Sequence, residues 1–320
     1  MGSNQLNKVA VIGSGIMGVG IAQNFAQAGL KVKLVDVNRE ILDSAMAQIK
    51  ANVNLFQEYK LIREDPSEIL SRIEPALTDG LEQAMEGCHY VVEAVPESLD
   101  IKKGLFSRLE KCSSSAIIAS NSSSFTVNEL AAGMKYPERM IGVHYFNPAH
   151  ILPVVEIHRG EKTSKEVVDL ARDLMLRAGK KPVLIRKTLP GFLVNRLTGA
   201  LEREIDYLLD EGVVTPEDLD TAVKGSIGFR MACLGPQETE DMIGLDTSMR
   251  VSRRVYRTLS NASEPSPQLV AKVEAGELGI KTGKGWYDYS SRPRDQVLDQ
   301  NNRKLLQQLA VFLAREKGAL

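Results

Sequence analysis

An unbroken apolar run, Val9, Ala10, Val11 and Ile12, comes early in the chain. Such a run predicts a strand covered on both faces. After a glycine-rich break, Ile21, Ala22, Phe25 and Ala26 recur at helical spacing, and Gly29 marks the helix stop. "KVKLVDV" then begins a second strand, which completes a βαβ unit. A long helical stretch is expected from about residue 39 to 62. The short strands "RIEPAL", "YVVEAVP", "AIIASN", "MIGVHYF", "VVEIHRG" and "PVLIRK" follow, with helical segments at 100–111 and 164–178 among them. This alternation implies a doubly wound, mostly parallel sheet. Across 142–160 the connection is too short for a parallel crossover, so there the sheet is expected to turn antiparallel.

Beyond "KTLPGFLVNR" the pattern becomes helical, with helices predicted at 191–211, 215–224, 235–258 and 266–275. Thr215-Pro216-Glu217 is a start signal, an N-cap followed by Pro at the first helical position. The tail, 292–320, reads as one more helix with Leu298, Leu305, Leu309 and Phe312 on one face. Two domains are expected, an α/β domain over 1–187 and an all-helical one over 188–320.

Composition narrows the class. Forty basic and forty-one acidic residues give a formal charge of −1, and no basic stripe offers a footprint for nucleic acid. Cys88, Cys112 and Cys233 contain no CxxC pair, which fits reduced thiols in the cytoplasm and no metal site. "MGSNQLNK" lacks the apolar core of a signal peptide, and Leu6 breaks the myristoylation pattern after Gly2. No apolar run approaches the roughly 20 residues needed to cross a bilayer, so a soluble cytoplasmic protein with no membrane partner is expected.

"GSGIMG" sets Gly13, Gly15 and Gly18 in GxGxxG spacing, with Ile16 and Met17 between them. The string follows a strand, opens a helix and precedes Asp36 at the end of the next strand, the context a dinucleotide site requires. Gly13 allows the tight turn, Gly15 lets the backbone approach a pyrophosphate, and Gly18 lets helix and strand pack closely. The helix N-terminus adds unpaired N–H groups and partial positive charge. A carboxylate at Asp36 accepts bonds from both ribose hydroxyls and repels a 2′-phosphate, which favours NAD over NADP.

"GVHYFNPAHILPVVEIHRG" places His144 twelve positions before Glu156. With a turn centred near residue 150, the two fall at mirror positions on adjacent strands, within side-chain reach. A structural pair is one reading. The other is a general base and its orienting carboxylate, since hydride loss from a carbinol needs a base on its hydroxyl.

"SNSSSF" and "PGFLVNR" supply further hydroxyls and an amide. With "GSGIMGVGIAQ", "VVEAVPE", "GVHYFNP", "VVEI", "GPQETEDMIGLD" and "KTGKGWY", in this order, they make the chain resemble the 3-hydroxyacyl-CoA dehydrogenase family over about 7–290. The resemblance implies a Rossmann-type domain followed by a helical substrate and dimerisation domain. It also implies interconversion of 3-hydroxyacyl and 3-ketoacyl substrates with NAD, as in fatty acid metabolism, and a homodimer. His144 matches the family's catalytic base, Glu156 its partner, Ser123 the serine that bonds the substrate oxygen, and Asn195 the asparagine that holds the substrate. Glu97, Lys102, Asn147 and Lys281 match further cofactor contacts.

Two departures bear on the substrate. CoA-using members carry a serine and a lysine cluster on the long helix after the acidic ribose contact. The matching positions here are Asn52 and Tyr59, with only Lys60 offering positive charge nearby. "GFRMACLGP", 228–236, is three residues longer than the family pattern and carries Arg230. It is similar to relatives acting on free carboxylates: carnitine dehydrogenase, the gulonate dehydrogenase related to lambda-crystallin, and a pyridine-carboxylate dehydrogenase. Arg230 either binds a carboxylate through its planar fork or faces solvent. Two small-molecule substrate classes follow, an acyl-CoA and a free hydroxy acid. A non-catalytic NAD-binding protein, crystallin-like or a sensor, is the reading from another class. Retention of His144, Glu156, Ser123 and Asn195 speaks against it. The hydroxyisobutyrate type, which shares the architecture, relies on a lysine after the domain junction where this chain has Asn195.

Overall fold

A computed structural model describes residues 6–318. The myristoylation position and most of the N-terminal segment lie outside the described residues, as do the last two positions of the tail. The chain divides into two compact units, residues 1–193 with 303–320, and residues 194–302.

The first unit runs β1 (Lys8–Ile12), α1 (Ile16–Gln27), β2 (Lys31–Asp36), α2 (Arg39–Glu58), α3 (Pro66–Ser71), β3 (Ile73–Leu77), α4 (Leu81–Met85), β4 (Tyr90–Glu93), α5 (Leu99–Cys112), β5 (Ile117–Ser120), α6 (Val127–Ala131), β6 (Met140–Tyr145), β7 (Val154–Arg159), α7 (Lys165–Arg177) and β8 (Lys181–Ile185). The eight strands form one sheet in the order β3-β2-β1-β4-β5-β6-β7-β8. Every pairing is parallel except β6 with β7, where the expected reversal occurs. Helices cover both faces, so the central strands are buried along their length and one core lies on each side of the sheet. Phe25 of α1 meets Tyr90 of β4 edge-on, ring centroids 6.3 Å apart, in one of these cores.

The parallel strands β1, β4, β5 and β6 all end at the same edge, and their following residues are stitched together there. Ala94 N–H donates to the Ile12 carbonyl (2.8 Å), Asn121 N–H to the Glu93 carbonyl (2.9 Å), and Tyr145 N–H to Asn121 Oδ1 (2.9 Å). This carboxyl edge is where open α/β sheets bind ligands. The β6–β7 connection packs on α1 at Gly20, where a Cβ would come within 2.9 Å of Ala149. Lys180 fixes the same connection by donating to the carbonyls of Ala149 (2.6 Å) and Leu152 (2.8 Å). Burial pushes this ammonium down to about 7.

The second unit holds α8 (Val194–Asp210), α9 (Pro216–Val223), α10 (Phe229–Met231), α11 (Pro236–Ile243), α12 (Leu245–Val255), α13 (Pro267–Glu274) and the start of α14 (Arg294–Glu316). Thr215 caps α9 as its sequence predicts, its hydroxyl accepting from Asp218 N–H (3.2 Å). A π-turn over Lys224–Gly228 joins α9 to α10. Gln268 ties α13 to α8 through the Leu209 carbonyl (3.1 Å).

Four boundaries differ from the sequence reading. α2 stops at Glu58 because Lys60 turns left-handed (φ 56°). α8 starts three residues late because Gly191 (φ 76°) and Phe192 (φ 54°) are left-handed. The helix expected over 235–258 is two helices broken at Gly244 (φ 98°). The tail is helical, and its part from Arg303 to residue 318 belongs with the α/β unit. Leu306 and Leu309 bury against Phe56 and Ile151, and Arg303 and Glu316 pair with Glu58 and Lys181.

Candidate active site

The glycine turn has the geometry its spacing predicts. Gly13 sits at φ 98°, with Ala94 O only 2.5 Å from where a Cβ would project. A Cβ on Gly18 would lie 1.8 Å from the Gly13 carbonyl oxygen, so helix and strand close only over glycine. At Gly15 a Cβ would meet nothing within 4 Å, leaving the open approach a pyrophosphate needs. Ile16 and Met17 begin α1, Ile16 largely exposed. A groove of about 430 Å³ lies beside them, lined by Ser14, Gly15, Glu40 and Gln48 among others. Asp36 reaches back to the turn. Its Oδ2 accepts from Ser14 N–H (2.6 Å) and Oγ (2.8 Å), and its Oδ1 from Val37 N–H (2.7 Å). The carboxylate therefore braces the loop. These residues fit a dinucleotide.

Across the carboxyl edge lies a buried ionic network that the sequence reading only touched. Lys102 is 1 % exposed, and its ammonium meets Glu93 Oε1 (2.6 Å), Glu97 Oε2 (3.1 Å) and the Val95 carbonyl (3.4 Å). Its ammonium organises Glu97 from behind. Glu93 is fully buried and also accepts from Ser120 Oγ (2.6 Å). Glu97 Oε1 gathers the serine loop, accepting from Ser122 Oγ, Ser123 N–H (3.2 Å), and Ser124 N–H (3.0 Å) and Oγ (2.6 Å). Burial alone would raise the Glu97 carboxyl. The serine hydroxyls and Lys102 outweigh it and hold the group at about 2. Ser123 is thus anchored by its backbone, and its exposed hydroxyl makes no hydrogen bond among the described residues.

The β6–β7 register pairs His144 with Glu156. His144 Nδ1 lies 2.9 Å from Glu156 Oε2, with the imidazole 5 % exposed and the glutamate fully buried. Glu156 Oε1 accepts from Leu193 N–H (3.2 Å), so the strained turn at Gly191–Phe192 serves the carboxylate. Phe146 and Phe192 set their rings against the imidazole at centroid distances of 4.7 and 5.6 Å. A carboxylate on Nδ1 fixes the tautomer whose Nε2 carries a lone pair, and it stabilises the imidazolium that forms when Nε2 takes a proton. Asn147, expected as a cofactor contact, is exposed in the connection and precedes Pro148 through a cis peptide.

Asn195, Arg230 and Lys281 belong to the helical unit. All three are exposed, Asn195 on the first turn of α8, Arg230 in α10 just after the π-turn, and Lys281 in the loop after α13. π-turns often mark functional positions in helices.

A glycine turn with its bracing aspartate, and an imidazole–carboxylate pair on the same carboxyl edge, define an NAD-dependent oxidoreductase acting on a CH–OH group. Residues 8–188 match the model of the 3-hydroxyacyl-CoA dehydrogenase NAD-binding domain, and residues 191–289 that of the C-terminal domain. The chain belongs to this family. It is 34% identical to a 5-formyl-3-hydroxy-2-methylpyridine 4-carboxylate 5-dehydrogenase of Mesorhizobium japonicum, covering 97% of this chain and 100% of that one. It is 37% identical to a 3-hydroxybutyryl-CoA dehydrogenase of Bradyrhizobium diazoefficiens, covering 89% and 96%. Among solved structures, a 5-formyl-3-hydroxy-2-methylpyridine 4-carboxylic acid 5-dehydrogenase, described as an NAD+-dependent dismutase, superposes with a TM-score of 0.88. That match is at 33% identity and covers 96% of this chain and 99% of that one. No helix among the described residues is long and apolar enough to cross a membrane.

Proposed function

We propose that the chain interconverts a 3-hydroxy and a 3-keto group, with His144 as the base that takes the hydroxyl proton and Glu156 as its orienting partner. The observation that carries this is the 2.9 Å contact between Nδ1 and a carboxylate with no exposure. When bound, NAD accepts or returns the hydride. Asp36 and the Gly13–Gly18 turn hold its ribose and pyrophosphate, and Glu97 borders the nicotinamide side. Ser123 offers its unspent hydroxyl to the substrate oxygen, and Asn195, Asn147 and Lys281 supply the remaining contacts by family resemblance.

A second reading concerns the substrate, and the tail helix favours it. Where CoA-using members carry a serine and a lysine cluster, α2 has a buried Asn52 bonded to Gln48 (2.9 Å) and a Tyr59 packed under α14. That stretch packs against the chain's own α14, and among the described residues no cluster of cations lines it for a nucleotide phosphate. A free hydroxy carboxylate held by Arg230 fits better than a CoA thioester. Steady-state NADH formation with 3-hydroxybutyryl-CoA, L-carnitine, L-gulonate and a pyridine carboxylate decides between them. A preference for the thioester, or an Arg230→Met variant with unchanged Michaelis constants for every carboxylate, counts against this substrate. A homodimer through the helical unit is supported by its exposed Leu197, Phe229, Met242, Leu245 and Tyr256. Light scattering of the purified protein tests it. A cytoplasmic setting is supported by three free cysteines.

A further inference from the structure

Glu156 has a second imidazole on it. His158 follows two residues later on β7, so its side chain leaves the same face of the strand. Its Nε2 lies 3.4 Å from Glu156 Oε2, the oxygen that His144 meets at 2.9 Å. The ring is 1 % exposed and stacks on Phe192 with centroids 4.0 Å apart and planes tilted by 38°. Its cross-strand partner is Gly142, where a Cβ would stand 3.1 Å from the His158 Cβ. β6, which also carries His144, thus has a glycine where a larger residue would crowd His158.

Among the described residues neither nitrogen of His158 has a hydrogen-bond partner, and both are buried. A side chain present only to fill space would leave no polar atom stranded there, because stranding one is costly. The charged group that Nε2 meets among the described residues is the Glu156 carboxylate. At 3.4 Å the contact is electrostatic attraction and not a full hydrogen bond. Leu193 N–H already holds Oε1, and the two imidazoles bracket Oε2.

We propose that His158 is a positioning residue for the reaction, acting through Glu156. Its Nε2–H side keeps Oε2 from rotating off His144, so that the Nδ1–H tautomer of His144 is held before substrate arrives. The proposal rests on the reading of His144 and Glu156 as base and partner. The residue touches neither substrate nor cofactor in this role.

A readout that needs no substrate is available because the chain has only four histidines. In the proton NMR spectrum of the intact protein, the Nδ1–H of His144, shielded and bonded to a carboxylate, should resonate far downfield. It should vanish in His144→Gln and in Glu156→Gln. His158→Gln, whose amide nitrogen can stand where Nε2 stands, should preserve it, and His158→Phe, which keeps the ring packing but loses the donor, should broaden or lose it. Turnover on the best substrate of the panel above should follow. His158→Phe should lower kcat about tenfold with Michaelis constants unchanged, and His158→Gln should stay within about threefold of the parent. In a Glu156→Gln background His158→Phe should cost nothing further. The reverse ranking, Phe tolerated and Gln not, makes the ring a packing element and overturns the proposal. So does an undiminished effect in the Glu156→Gln background. If His144→Gln keeps full activity, the base assignment itself has failed, a result separable from both.

Discussion

Replacing Glu156 by Gln keeps the shape of the side chain and removes its charge. In the parent, Oε2 sits 2.9 Å from His144 Nδ1. At that distance a full imidazolium and the carboxylate attract by about 6 kcal/mol at an effective dielectric of about 20. With roughly half the proton charge on the ring in the transition state, about 3 kcal/mol of stabilisation is lost, or roughly 100-fold in rate. The amide adds a second penalty. Its NH₂ facing Nδ1 selects the opposite tautomer, which puts the proton on Nε2 where the lone pair is needed. The Leu193 N–H still finds an acceptor in the amide oxygen, so the fold should survive. The assay is steady-state NADH formation with saturating substrate and cofactor, beside circular dichroism of both proteins. Expected is a kcat reduced at least 100-fold with native ellipticity. A folded variant losing less than about tenfold refutes the electrostatic account of the pair.

Asp36→Asn keeps an acceptor for Ser14 N–H and removes the charge. The ratio of kcat/KM for NAD to that for NADP should fall about 10- to 100-fold, and an unchanged ratio removes Asp36 from cofactor selection. Lys180 is 4 % exposed, and its folded pKa of about 7 lies below its ordinary value of 10.5. Between those values the unfolded chain binds more protons, so this lysine destabilises fully below pH 7 and its penalty lifts as pH rises towards 10.5. Urea denaturation across pH 7 to 10 should show a rise, up to about 1.4 kcal/mol per unit from this group, that Lys180→Met flattens. Equal slopes would contradict it. Leu306→Ala, at a fully buried contact of α14, should cost roughly 3 kcal/mol in chemical denaturation. A cost under about 1 kcal/mol would mean the tail helix is not docked on α2.

What could be read from the chain was local or periodic. The glycine turn, the sheet class and the His144–Glu156 register follow from spacing, because a turn centred near residue 150 puts the two at mirror positions. Contacts closed by distant strands were invisible. Glu93 is a charge inside the apolar "YVVEAVP", and nothing in its spacing points to Lys102 as a buried partner. His158 was in plain view two residues after Glu156, yet its role depends on Gly142 across the hairpin and on Phe192. The tail's apolar face was legible but its docking site was not, since Arg303 meets Glu58 across 245 residues of chain. Single left-handed residues such as Lys60, Phe192 and Gly244 bound helices without disturbing the hydrophobic period.

The most direct test of the central claim is turnover by His144→Gln beside its affinity for NAD. With His144 as the base, kcat on the best substrate of the panel falls by 100-fold or more, the lower end for acid–base catalysis being about that, while the NAD dissociation constant stays within about threefold. A variant that binds NAD normally and keeps more than about a tenth of parental kcat contradicts the account.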